Sequence, residues 1–457
     1  MAKPIVAIVG RPNVGKSAFF NKVIGQNKSI VEDEPGVTRD RIFHDAEWCG
    51  TDFTLIDTGG INIDSQDEIN LHIKEQVNLA IDISNCIIFL VDGMEGVNPT
   101  EIEISKLLRR TKKPIVLAVN KLDNDKLEEG LFDFYQLGMG NPFPVSVAQS
   151  RGFGDLLDQV VDIINPEAKN KVKKKKKEFN PDEETKEELG RPLNVAIVGK
   201  PNAGKSSIVN RLLGANRVMV SSIAGTTRDC IDTELIVNGK NYTLVDTAGI
   251  RRKAKVEYKS VEQYSVLRAL AAIRRADVCV LVFDALEGLS EQDVRLAGYI
   301  HELGKPSVVV VNKWDIVEKD TYTMNKFEEK LKADLAFMPY FKSVYVSALT
   351  GQRCDKIIET VDFVYQRANH RITTSTLNAL VAEYVAATEP PIHGRKRLKI
   401  YYATQVNVCP PTFVIKVNDA KLMHYSYKRY LENCLRRSVD FSGTPIYIIL
   451  RNKSGED

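Results

Sequence analysis

The sequence predicts an α/β protein with two tandem, doubly wound domains of mostly parallel sheet, followed by a smaller α+β domain. Three observations support this prediction. The sixteen residues from Gly10 return almost unchanged from Gly199, 189 positions later. Within each copy, short apolar runs alternate with helix-compatible stretches, which is the pattern of buried parallel strands joined by helices. After residue 370 the repeated motifs stop, and a different order of strands and helices begins.

Each copy opens with a β-branched strand, PIVAIVG or LNVAIVG, that ends at a glycine. The next stretch, KSAFFNKVIG or KSSIVNRLLG, is predicted to be a helix, and we expect Gly25 and Gly214 to close these helices. The strands FTLID and YTLVD follow, and then the apolar runs CIIFLVD or VCVLVFD and PIVLAVN or PSVVVVN. Near-continuous apolar runs predict parallel strands buried on both faces.

The repeat also sets the predicted domain boundaries. GVTRD and DTGGI return as GTTRD and DTAGI at a constant spacing of 189, whereas NKLD returns as NKWD after 192 positions, which indicates small insertions in the second copy. Between the copies lies a segment with a basic half and an acidic half, typical of a flexible linker. Its lysine run leaves contact with RNA open as an alternative. We predict a first domain at 1–165, a linker at 166–190, a second domain at 191–370 and a third domain at 371–457.

Bulk composition fits a soluble protein of several domains. The chain has 457 residues, 43% hydrophobic and 27% charged, with a net charge of +3. Seven scattered cysteines, without a C-x-x-C pair or zinc spacing, indicate reduced thiols. The N-terminus does not resemble a leader, and no long apolar span occurs. We therefore expect a cytoplasmic protein that does not insert into a membrane.

The first repeated motif, G-x-x-x-x-G-K-S between a strand and a helix, is a phosphate-binding loop. Its glycines let backbone N–H groups converge on phosphates, and the helix N-terminus adds partial positive charge. The lysine would contact the β- and γ-phosphates, and the serine would ligate Mg²⁺. The predicted loop residues are Gly10, Arg11, Pro12, Asn13, Val14, Gly15, Lys16 and Ser17, and Gly199, Lys200, Pro201, Asn202, Ala203, Gly204, Lys205 and Ser206.

The N-K-x-D motifs predict that the base is guanine. The aspartate would accept hydrogen bonds from guanine N1–H and the 2-amino group, which adenine lacks, although a lone N-K-x-D is usually only a turn. The asparagine would face the purine edge or brace neighbouring loops, the lysine stem would pack on the base, and a downstream serine would support it, less firmly in the first copy. The predicted residues are Asn120, Lys121, Leu122, Asp123 and Ser146, and Asn312, Lys313, Trp314, Asp315 and Ser347.

The D-T-x-G-I motifs complete the predicted triphosphate site. The aspartate would hold Mg²⁺ through water, and the last glycine would turn its N–H toward the γ-phosphate. Thr38 and Thr227 are candidate Mg²⁺ ligands on a mobile segment, the alternative being threonines without a metal contact. The motif residues are Asp57, Thr58, Gly59, Gly60 and Ile61, and Asp246, Thr247, Ala248, Gly249 and Ile250. The predicted metal ligands are Ser17, Thr38, Asp57, Ser206, Thr227 and Asp246.

Isoleucine stands where Ras-like proteins place the glutamine that orients the attacking water. Either hydrolysis is slow or another group contributes. The loop asparagines are candidates, because a side-chain carbonyl could hold K⁺ against the phosphates, although the asparagine could also only stabilise the loop. The predicted catalytic residues are Asn13, Lys16, Thr38, Gly60, Asn202, Lys205, Thr227 and Gly249.

The C-terminal segment concentrates positive charge. From residue 371 it has 13 Lys and Arg against 7 Asp and Glu, with tyrosines interleaved, which is typical of nucleic-acid binding. Its predicted αββαβ order resembles a KH domain, but the helix–G-x-x-G–helix clamp is absent. The basic face therefore either binds RNA in another way or packs on a neighbouring domain. A basic cluster at residues 251–255 in the second copy is a weaker RNA candidate, the alternative being a solvated surface.

Taken together, GRPNVGKS with GKPNAGKS, DTGG with DTAG, and NKLD with NKWD resemble the Der/EngA family of bacterial GTPases over essentially the whole chain. The resemblance implies two tandem P-loop GTPase domains and a KH-like domain, binding of GTP/GDP and Mg²⁺, and hydrolysis stimulated by K⁺. It also implies assembly of the large (50S) ribosomal subunit through rRNA; we expect a monomer and no DNA partner. A GTP-gated membrane or protein scaffold remains an alternative, without an amphipathic membrane helix to favour it. An ATPase is disfavoured by the N-K-x-D aspartates.

Overall fold

A computed structural model describes residues 3–26, 43–58, 69–123, 125–166, 191–215, 232–246, 261–318, 320, 322–390, 392–393 and 396–452. The chain divides into two compact units. The first unit contains the described part of the first copy of the repeat. The second contains most of the second copy together with the C-terminal domain.

The first unit contains a six-stranded sheet in the order β2-β3-β1-β4-β5-β6. Its strands are β1 (Ile5–Val9), β2 (Phe43–Trp48), β3 (Thr51–Asp57), β4 (Cys86–Asp92), β5 (Ile115–Asn120) and β6 (Phe143–Pro144). Its helices are α1 (Lys16–Gln26), α2 (Ile69–Ile83), α3 (Pro99–Leu108) and α4 (Phe153–Ile164), with a 3-10 helix at Asp125–Leu137. Of the described strand pairs in this sheet, only β2–β3 is antiparallel. The carboxyl ends of β1, β3, β4 and β5 therefore lie at one edge of the sheet.

The second copy repeats this layout in the order β12-β11-β10-β7-β9-β8. Its strands are β7 (Leu193–Val198), β8 (Thr233–Val237), β9 (Lys240–Val245), β10 (Val278–Asp284), β11 (Ser307–Asn312) and β12 (Lys342–Tyr345). Its helices are α5 (Lys205–Ala215), α6 (Val261–Arg275), α7 (Glu291–Glu302), α8 (Thr323–Asp334) and α9 (Asp355–Ala368). The predicted doubly wound sheets are confirmed.

The apolar runs form strands that are buried on both faces. Every residue of β4 and of β10 is buried. In β10, Val280 and Val282 pack into one core while Leu281 and Phe283 pack into the other, as the two-residue period of a strand requires. Helices cover both faces of the sheet, which is why the sequence of these strands does not alternate between apolar and polar residues.

The prediction for the helix-closing glycines is wrong. Gly25 lies inside α1 and Gly214 lies inside α5, and neither has a left-handed φ. A Cβ at either position would have no neighbour within 4 Å. These exposed glycines are therefore tolerated within the helix, at a cost of about 1 kcal/mol each relative to alanine.

The C-terminal domain has the predicted αββαβ order. It consists of α10 (Thr374–Ala387), β15 (Ile400–Asn407), β16 (Thr412–Val417), α11 (Tyr425–Ser438) and β17 (Tyr447–Asn452), with a short hairpin of β13 (Ile392–His393) and β14 (Lys396–Arg397) and a 3-10 turn at Ala420–Leu422. Strand β16 pairs antiparallel with β15 and parallel with β17. One face of this sheet packs against both helices through a core that includes Leu377, Phe413 and Leu431.

The turn before β17 docks the C-terminal domain on the second nucleotide domain. The Ser307 N–H donates to the carbonyl of Gly443 at 2.7 Å, and the Gly443 N–H donates to the carbonyl of Tyr340 at 2.6 Å. The Tyr447 hydroxyl donates to the carbonyl of Glu302 at 3.0 Å. Because Ser307 begins β11, the contact lies at the amino-terminal edge of the sheet. Domain packing, one of the two alternatives for the C-terminal domain, is therefore observed for this turn.

Replacing Gly443 by alanine is expected to loosen this junction. Gly443 has a φ of +79°, and a Cβ there would collide with the Val364 side chain. We expect the free energy of unfolding to fall by about 2–5 kcal/mol, the sum of left-handed strain and overpacking. Urea unfolding followed by Trp314 fluorescence in a Trp48→Phe background measures the second unit.

Gly239→Ala is the matched control. Gly239 has nearly the same φ, +77°, but a Cβ there would have no neighbour within 4 Å. It should therefore cost only the strain, about 1–2 kcal/mol. Equal destabilisation by the two variants would show that contact with Val364 contributes nothing to the junction.

Two expectations about bulk properties can be compared with the described residues. All six cysteines within them are free thiols, as predicted. No helix among the described residues has both the length and the apolar character needed to cross a bilayer.

Candidate functional site

The repeated motifs meet at the carboxyl edge of each sheet. In the first domain, the loop after β1, the end of β3 at Asp57, the end of β4 at Asp92 and the end of β5 at Asn120 lie side by side. Open α/β sheets bind ligands at this edge. The topology therefore brings together the motifs that the sequence predicted to act together.

The glycines of the phosphate loop are required by close packing. A Cβ on Gly10 would collide with the carbonyl oxygen of Leu90. Gly15 has a φ of +96°, and its Cβ would stand 2.5 Å from the Asn120 side-chain nitrogen. In the second domain, Gly199 and Gly204 face the Val282 carbonyl and the Asn312 side chain in the same way. The loop therefore lies directly against the neighbouring strand and the N-K-x-D asparagine.

The N-K-x-D asparagines brace the loops, which is one of the two roles that the sequence left open; among the described residues, the second N–H of each amide stays free for the purine role. In the first domain, the Asn120 Nδ2 donates to the carbonyl of Val14 at 2.8 Å, and its Oδ1 accepts from the Val147 N–H at 3.1 Å. Asn312 makes the equivalent bonds to Ala203 and Ala348 at 2.9 and 3.1 Å. Each asparagine therefore connects the phosphate loop to the segment at Val147 or Ala348, which follows the last strand of its domain.

The loop lysines lie folded back onto carbonyl groups of the phosphate loop. The Lys16 Nζ donates to the carbonyls of Gly10 and Arg11, each at 2.7 Å. Burial of the ammonium lowers the pKa of Lys16 to about 8, although Asp57 opposes that shift. Lys205 donates to the Gly199 carbonyl at 2.7 Å in the same manner. A phosphate in the loop could therefore replace these carbonyl oxygens as the hydrogen-bond acceptor of each ammonium group.

The candidate magnesium ligands of the first domain are adjacent. The Ser17 hydroxyl donates to Asp57 Oδ2 at 2.8 Å, and the Asp57 carboxylate is 3% exposed. A hydroxyl and a carboxylate oxygen at hydrogen-bonding distance suit a hard divalent cation that keeps several of its waters. In the second domain, Asp246 follows β9 with a φ of +58°, and its N–H donates to Asp232 Oδ1 at 3.0 Å. The two copies therefore differ locally at this aspartate.

Two acidic residues outside the repeated motifs are ion-paired with the lysines of the N-K-x-D segments. Asp92 Oδ2 lies 2.5 Å from the Lys121 ammonium, and Asp284 Oδ2 lies 2.6 Å from the Lys313 ammonium. Burial opposes ionisation of Asp284, but the Lys313 and Lys200 charges and a hydrogen bond from the Leu286 N–H lower its pKa overall. The signal was present in the sequence, because both aspartates end an apolar strand at corresponding positions of the repeat.

The second residue of each phosphate loop turns away from the phosphates. The Arg11 Nε donates to Glu101 at 3.0 Å, and its Nη2 donates to Glu95 at 2.6 Å. Glu101 also caps the first turn of α3. In the second domain, the Lys200 ammonium is ion-paired with Glu287, and the Lys200 N–H donates to Asp293 at 3.0 Å. Carboxylates therefore hold the Arg11 and Lys200 side chains, and a carboxylate also accepts from the Lys200 N–H.

The base-reading aspartates differ between the copies. The Ser146 hydroxyl donates to Asp123 Oδ1 at 2.5 Å, so the predicted supporting serine contacts the aspartate itself. Asp315 Oδ1 is buried and has no hydrogen-bond partner among the described residues. Ser347 instead accepts from the Thr350 N–H at 3.1 Å. An unpaired buried carboxylate oxygen is costly, and a guanine N–H would satisfy it.

Other predicted residues occupy structural positions. Leu122 and Trp314 are 1% and 5% exposed in the cores, so their side chains cannot line a base pocket. The Thr58 hydroxyl donates to the Ile8 carbonyl at 2.6 Å and ties β3 to β1. Outside the described residues lie Thr38, Gly59, Gly60, Ile61, Thr227, Thr247, Ala248, Gly249 and Ile250, and the basic cluster at 251–255.

The loop asparagines, each preceded by a proline (Pro12 and Pro201), have a left-handed backbone and open side chains. Asn13 and Asn202 have φ values of 67° and 66°, and both are exposed. Neither side chain makes a hydrogen bond to another residue within the described ranges. The alternative in which the asparagine side chain stabilises the loop finds no contact there to support it.

The lowered pKa of Lys16 predicts how the first site responds to pH. A bound phosphate favours the ammonium, so the pKa of Lys16 in the complex rises above its free value of about 8. Below pH 8 the lysine is charged in both states and affinity is constant. Above pH 8 binding takes up a proton, and affinity for GTP falls by up to about tenfold per pH unit.

Calorimetry of the Lys205→Ala variant between pH 7 and 9, in buffers of different ionisation enthalpy, measures this linkage at the first site alone. Constant affinity without proton uptake across that range would contradict the prediction. The Lys16→Ala variant, in which only the second site binds, provides the comparison.

Comparison with known proteins agrees with the geometry. Residues 5–121 and 194–313 match the family described as 50S ribosome-binding GTPase, and residues 371–451 match the KH-domain-like domain of EngA bacterial GTPase enzymes, C-terminal. GTPase Der from Alkaliphilus oremlandii (strain OhILAs) is 50% identical over 457 residues, which is 100% of both chains. The chain belongs to the GTPase Der family. GTPase Der from Clostridium botulinum (strain Hall / ATCC 3502 / NCTC 13319 / Type A) is 51% identical over 446 residues, 98% of each chain.

Membership of the GTPase Der family fixes the activity. The chain binds GTP and hydrolyses it, and it contains two P-loop GTPase domains and a KH-like domain. Among solved structures, Era in complex with MgGDPNP and nucleotides 1506-1542 of 16S ribosomal RNA matches 57% of this chain and 93% of that chain, at 25% identity and a TM-score of 0.29. A likeness at that score supports no conclusion about function.

Proposed function

We propose that this GTPase is a double GTP switch that acts in assembly of the large (50S) ribosomal subunit by binding its rRNA. The observation that carries the proposal is the presence of two phosphate loops, each braced by its own N-K-x-D asparagine, in a chain that also contains a basic KH-like domain. The description of the matched family as 50S ribosome-binding supports it. We place the protein in the cytoplasm as a monomer, without a DNA partner or membrane insertion.

The domain limits belong to the same proposal. The first GTPase domain spans 1–165, a charged linker spans 166–190, the second GTPase domain spans 191–370 and the KH-like domain spans 371–457. The elements from β1 to α4, from β7 to α9 and from α10 to β17 fall within these limits. Two GTPase domains that each have their own phosphate loop and N-K-x-D segment can take up GTP and GDP independently.

Within the first site, we assign one part of the nucleotide to each motif. The loop from Gly10 to Ser17 holds the phosphates, with Lys16 leaving its carbonyl partners to contact the β- and γ-phosphates. Asp123 reads the guanine edge. Ser17 and Asp57 fit Mg²⁺, together with Thr38, and the ion supplies positive charge that neutralises the phosphate oxygens.

The second site uses the equivalent residues. The loop from Gly199 to Ser206 holds the phosphates and Asp315 reads guanine. Ser206, Thr227 and Asp246 would hold Mg²⁺ in this site if the Asp246 carboxylate faces Ser206. Gly60 and Gly249, in the D-T-x-G motifs of the two copies, donate N–H groups to the γ-phosphate.

Asn13 and Asn202 are proposed to hold K⁺ beside the phosphates. Their exposed side chains and left-handed backbone support this role. Replacing K⁺ by Na⁺ should slow hydrolysis by at least about tenfold, because positive charge supplied by an arginine finger in related enzymes is worth about 10³–10⁵ in rate. Equal rates in the two salts would remove K⁺ from the proposal and leave the GTPase assignment intact.

Sedimentation tests the ribosomal role. Purified protein is mixed with 50S or 30S subunits in the presence of a non-hydrolysable GTP analogue or of GDP. We expect co-migration with 50S particles under the analogue, less under GDP, and none with 30S. Failure to migrate with 50S under any nucleotide, or equal migration with 30S, would reject the assembly role.

A further inference from the structure

The KH-like sheet packs one face against α10 and α11, and neither of these described helices covers its other face. Across this outer face, Tyr402 of β15 pairs with Lys416 of β16, and Lys416 pairs with Arg451 of β17. The three side chains therefore form one row, and all three are exposed. The opposite face carries Ala403, Ile415 and their neighbours into the domain core.

A β-bulge adds a second tyrosine to this row. Ile400 pairs with Val417, but the next pair on the ladder is Tyr402 with Lys416, so β15 has one extra residue at this point. In a regular strand, one of two adjacent residues would point into the core. Instead Tyr401 and Tyr402 are 46% and 43% exposed, as expected when a bulge turns both toward one side.

The charges on this sheet have one sign. The strands β15, β16 and β17 contain Lys416 and Arg451 but no Asp or Glu. The exposed Lys399 directly precedes β15. The acidic Glu389 is ion-paired with Arg397, outside these strands. A surface of this kind attracts a polyanion and repels a cationic partner.

The position of the sheet is fixed. Tyr447, at the first residue of β17, donates to the carbonyls of His301 and Glu302 at the end of α7. The row of Tyr402, Lys416 and Arg451 lies four residues farther along the sheet, away from this anchor. The second GTPase domain therefore holds the outer face in one orientation while leaving its far end open.

Adjacent tyrosines beside lysine and arginine suit unpaired bases. Each ring offers a stacking surface of about 1–3 kcal/mol per base, and the cations track the phosphates. Bases within a duplex are already stacked on each other and cannot use such a platform. An acidic protein would satisfy the cations but would leave the rings without a specific role.

We propose that this outer face, formed by Tyr401, Tyr402, Lys416 and Arg451, is a platform for single-stranded RNA. Bases stack on the tyrosines, and the phosphates contact Lys416 and Arg451. The inference deepens the proposed function, on which it rests, because it names the part of the chain that contacts RNA. It also explains how a KH-like domain without the G-x-x-G clamp binds RNA.

Fluorescence anisotropy with a labelled single-stranded oligouridine, using the full chain, tests the platform. Tyr402→Ala should weaken binding by about five- to 100-fold, the value of one stacked base. Lys416→Ala should lower the slope of log affinity against log salt by about 0.7, since one phosphate contact is lost. A blunt RNA duplex should bind more weakly than the oligouridine.

Tyr425→Ala and Lys428→Ala are the matched controls. Both residues are exposed and lie on α11, away from the sheet's outer face. They should leave affinity and salt slope unchanged. The rate of GTP hydrolysis should be the same in all four variants, which verifies folding. Equal loss of affinity in the controls and in the sheet variants would overturn the platform.

Ultraviolet cross-linking of the unmodified chain to the same oligouridine provides a measurement without mutation. Cross-links mapped by mass spectrometry should fall on residues 400–407, and cross-links confined to α11 or to the linker would overturn the inference. The 50S sedimentation separates the two proposals. If the Tyr402→Ala variant sediments with 50S particles and binds the oligouridine as the unmodified chain does, the platform is rejected and the ribosomal role stands. Cross-links on β15 without any 50S binding support the platform and reject the ribosomal role.

The inference would also be overturned if the unmodified chain does not bind the oligouridine and the Tyr402→Ala substitution still weakens sedimentation with 50S particles. The face would then contact a protein.

Discussion

Replacing Lys16 by alanine will weaken GTP binding at the first site so strongly that calorimetry detects one GTP per chain. The Lys16 ammonium is 7% exposed and lies within the phosphate loop, held at 2.7 Å by the carbonyls of Gly10 and Arg11. With the lysine gone, the β- and γ-phosphates lose two charge-assisted hydrogen bonds, each worth about 1.5–3 kcal/mol. Affinity of that site should fall by about 10²- to 10⁴-fold.

Lys205→Ala is the mirror experiment and should remove only the second site. Stoichiometry is measured by calorimetry with GTP. The intact site in each variant reports that the protein is folded, and Lys22→Ala, a half-buried lysine on α1, controls for loss of charge. Two GTP per chain in both alanine variants would refute the assignment of these loops.

The sequence predicted the parts of the fold and site that depend on local chemistry. The phosphate loop is defined by glycines that allow close approach, and the structure brings Gly15 against Asn120 as such a loop requires. The buried parallel strands followed from apolar runs without alternation. The order of the C-terminal elements was also predicted correctly.

Contacts between distant segments could not be predicted in the same way. The sequence left Asn120 with two roles, and only the fold shows that its amide is used between Val14 and Val147. Asp92 ends an apolar strand, which is visible in the sequence, but its ion pair with Lys121 forms only because β4 and β5 lie side by side. The helix-closing role of Gly25 failed because a glycine allows the left-handed conformation without requiring it.

The register of the C-terminal sheet is a third case. The exposed tyrosines at 401 and 402 arise from one extra residue in β15, and composition cannot place a bulge. The sequence therefore identified a basic, tyrosine-rich domain but could not decide which face it presents. The structure assigns the turn around Gly443 to packing on the second GTPase domain and leaves the row from Tyr402 to Arg451 exposed.

Replacing Asp315 by asparagine will change the preference of the second site from GTP to XTP. Asp315 Oδ1 is buried without a hydrogen-bond partner among the described residues, and the guanine N1–H and 2-amino group would supply donors. Asparagine places its side-chain NH₂ group opposite the guanine 2-amino group, so that two donors face each other. The same NH₂ group can donate to the 2-carbonyl of xanthine. Affinity for GTP should fall by about 10²- to 10⁴-fold, in line with sites built to hydrogen-bond their substrate.

Nucleotide-free stability distinguishes this effect from unfolding. Because the unpaired carboxylate oxygen of Asp315 costs free energy in the empty protein, Asp315→Asn should leave the free energy of unfolding unchanged or raise it. Asp123→Asn, where Ser146 already donates to the aspartate at 2.5 Å, should change only the first site and should not gain stability. GTP and XTP affinities from calorimetry, with the other site disabled by its lysine variant, complete the comparison. Retained selectivity for GTP in Asp315→Asn would mean that another group reads the base.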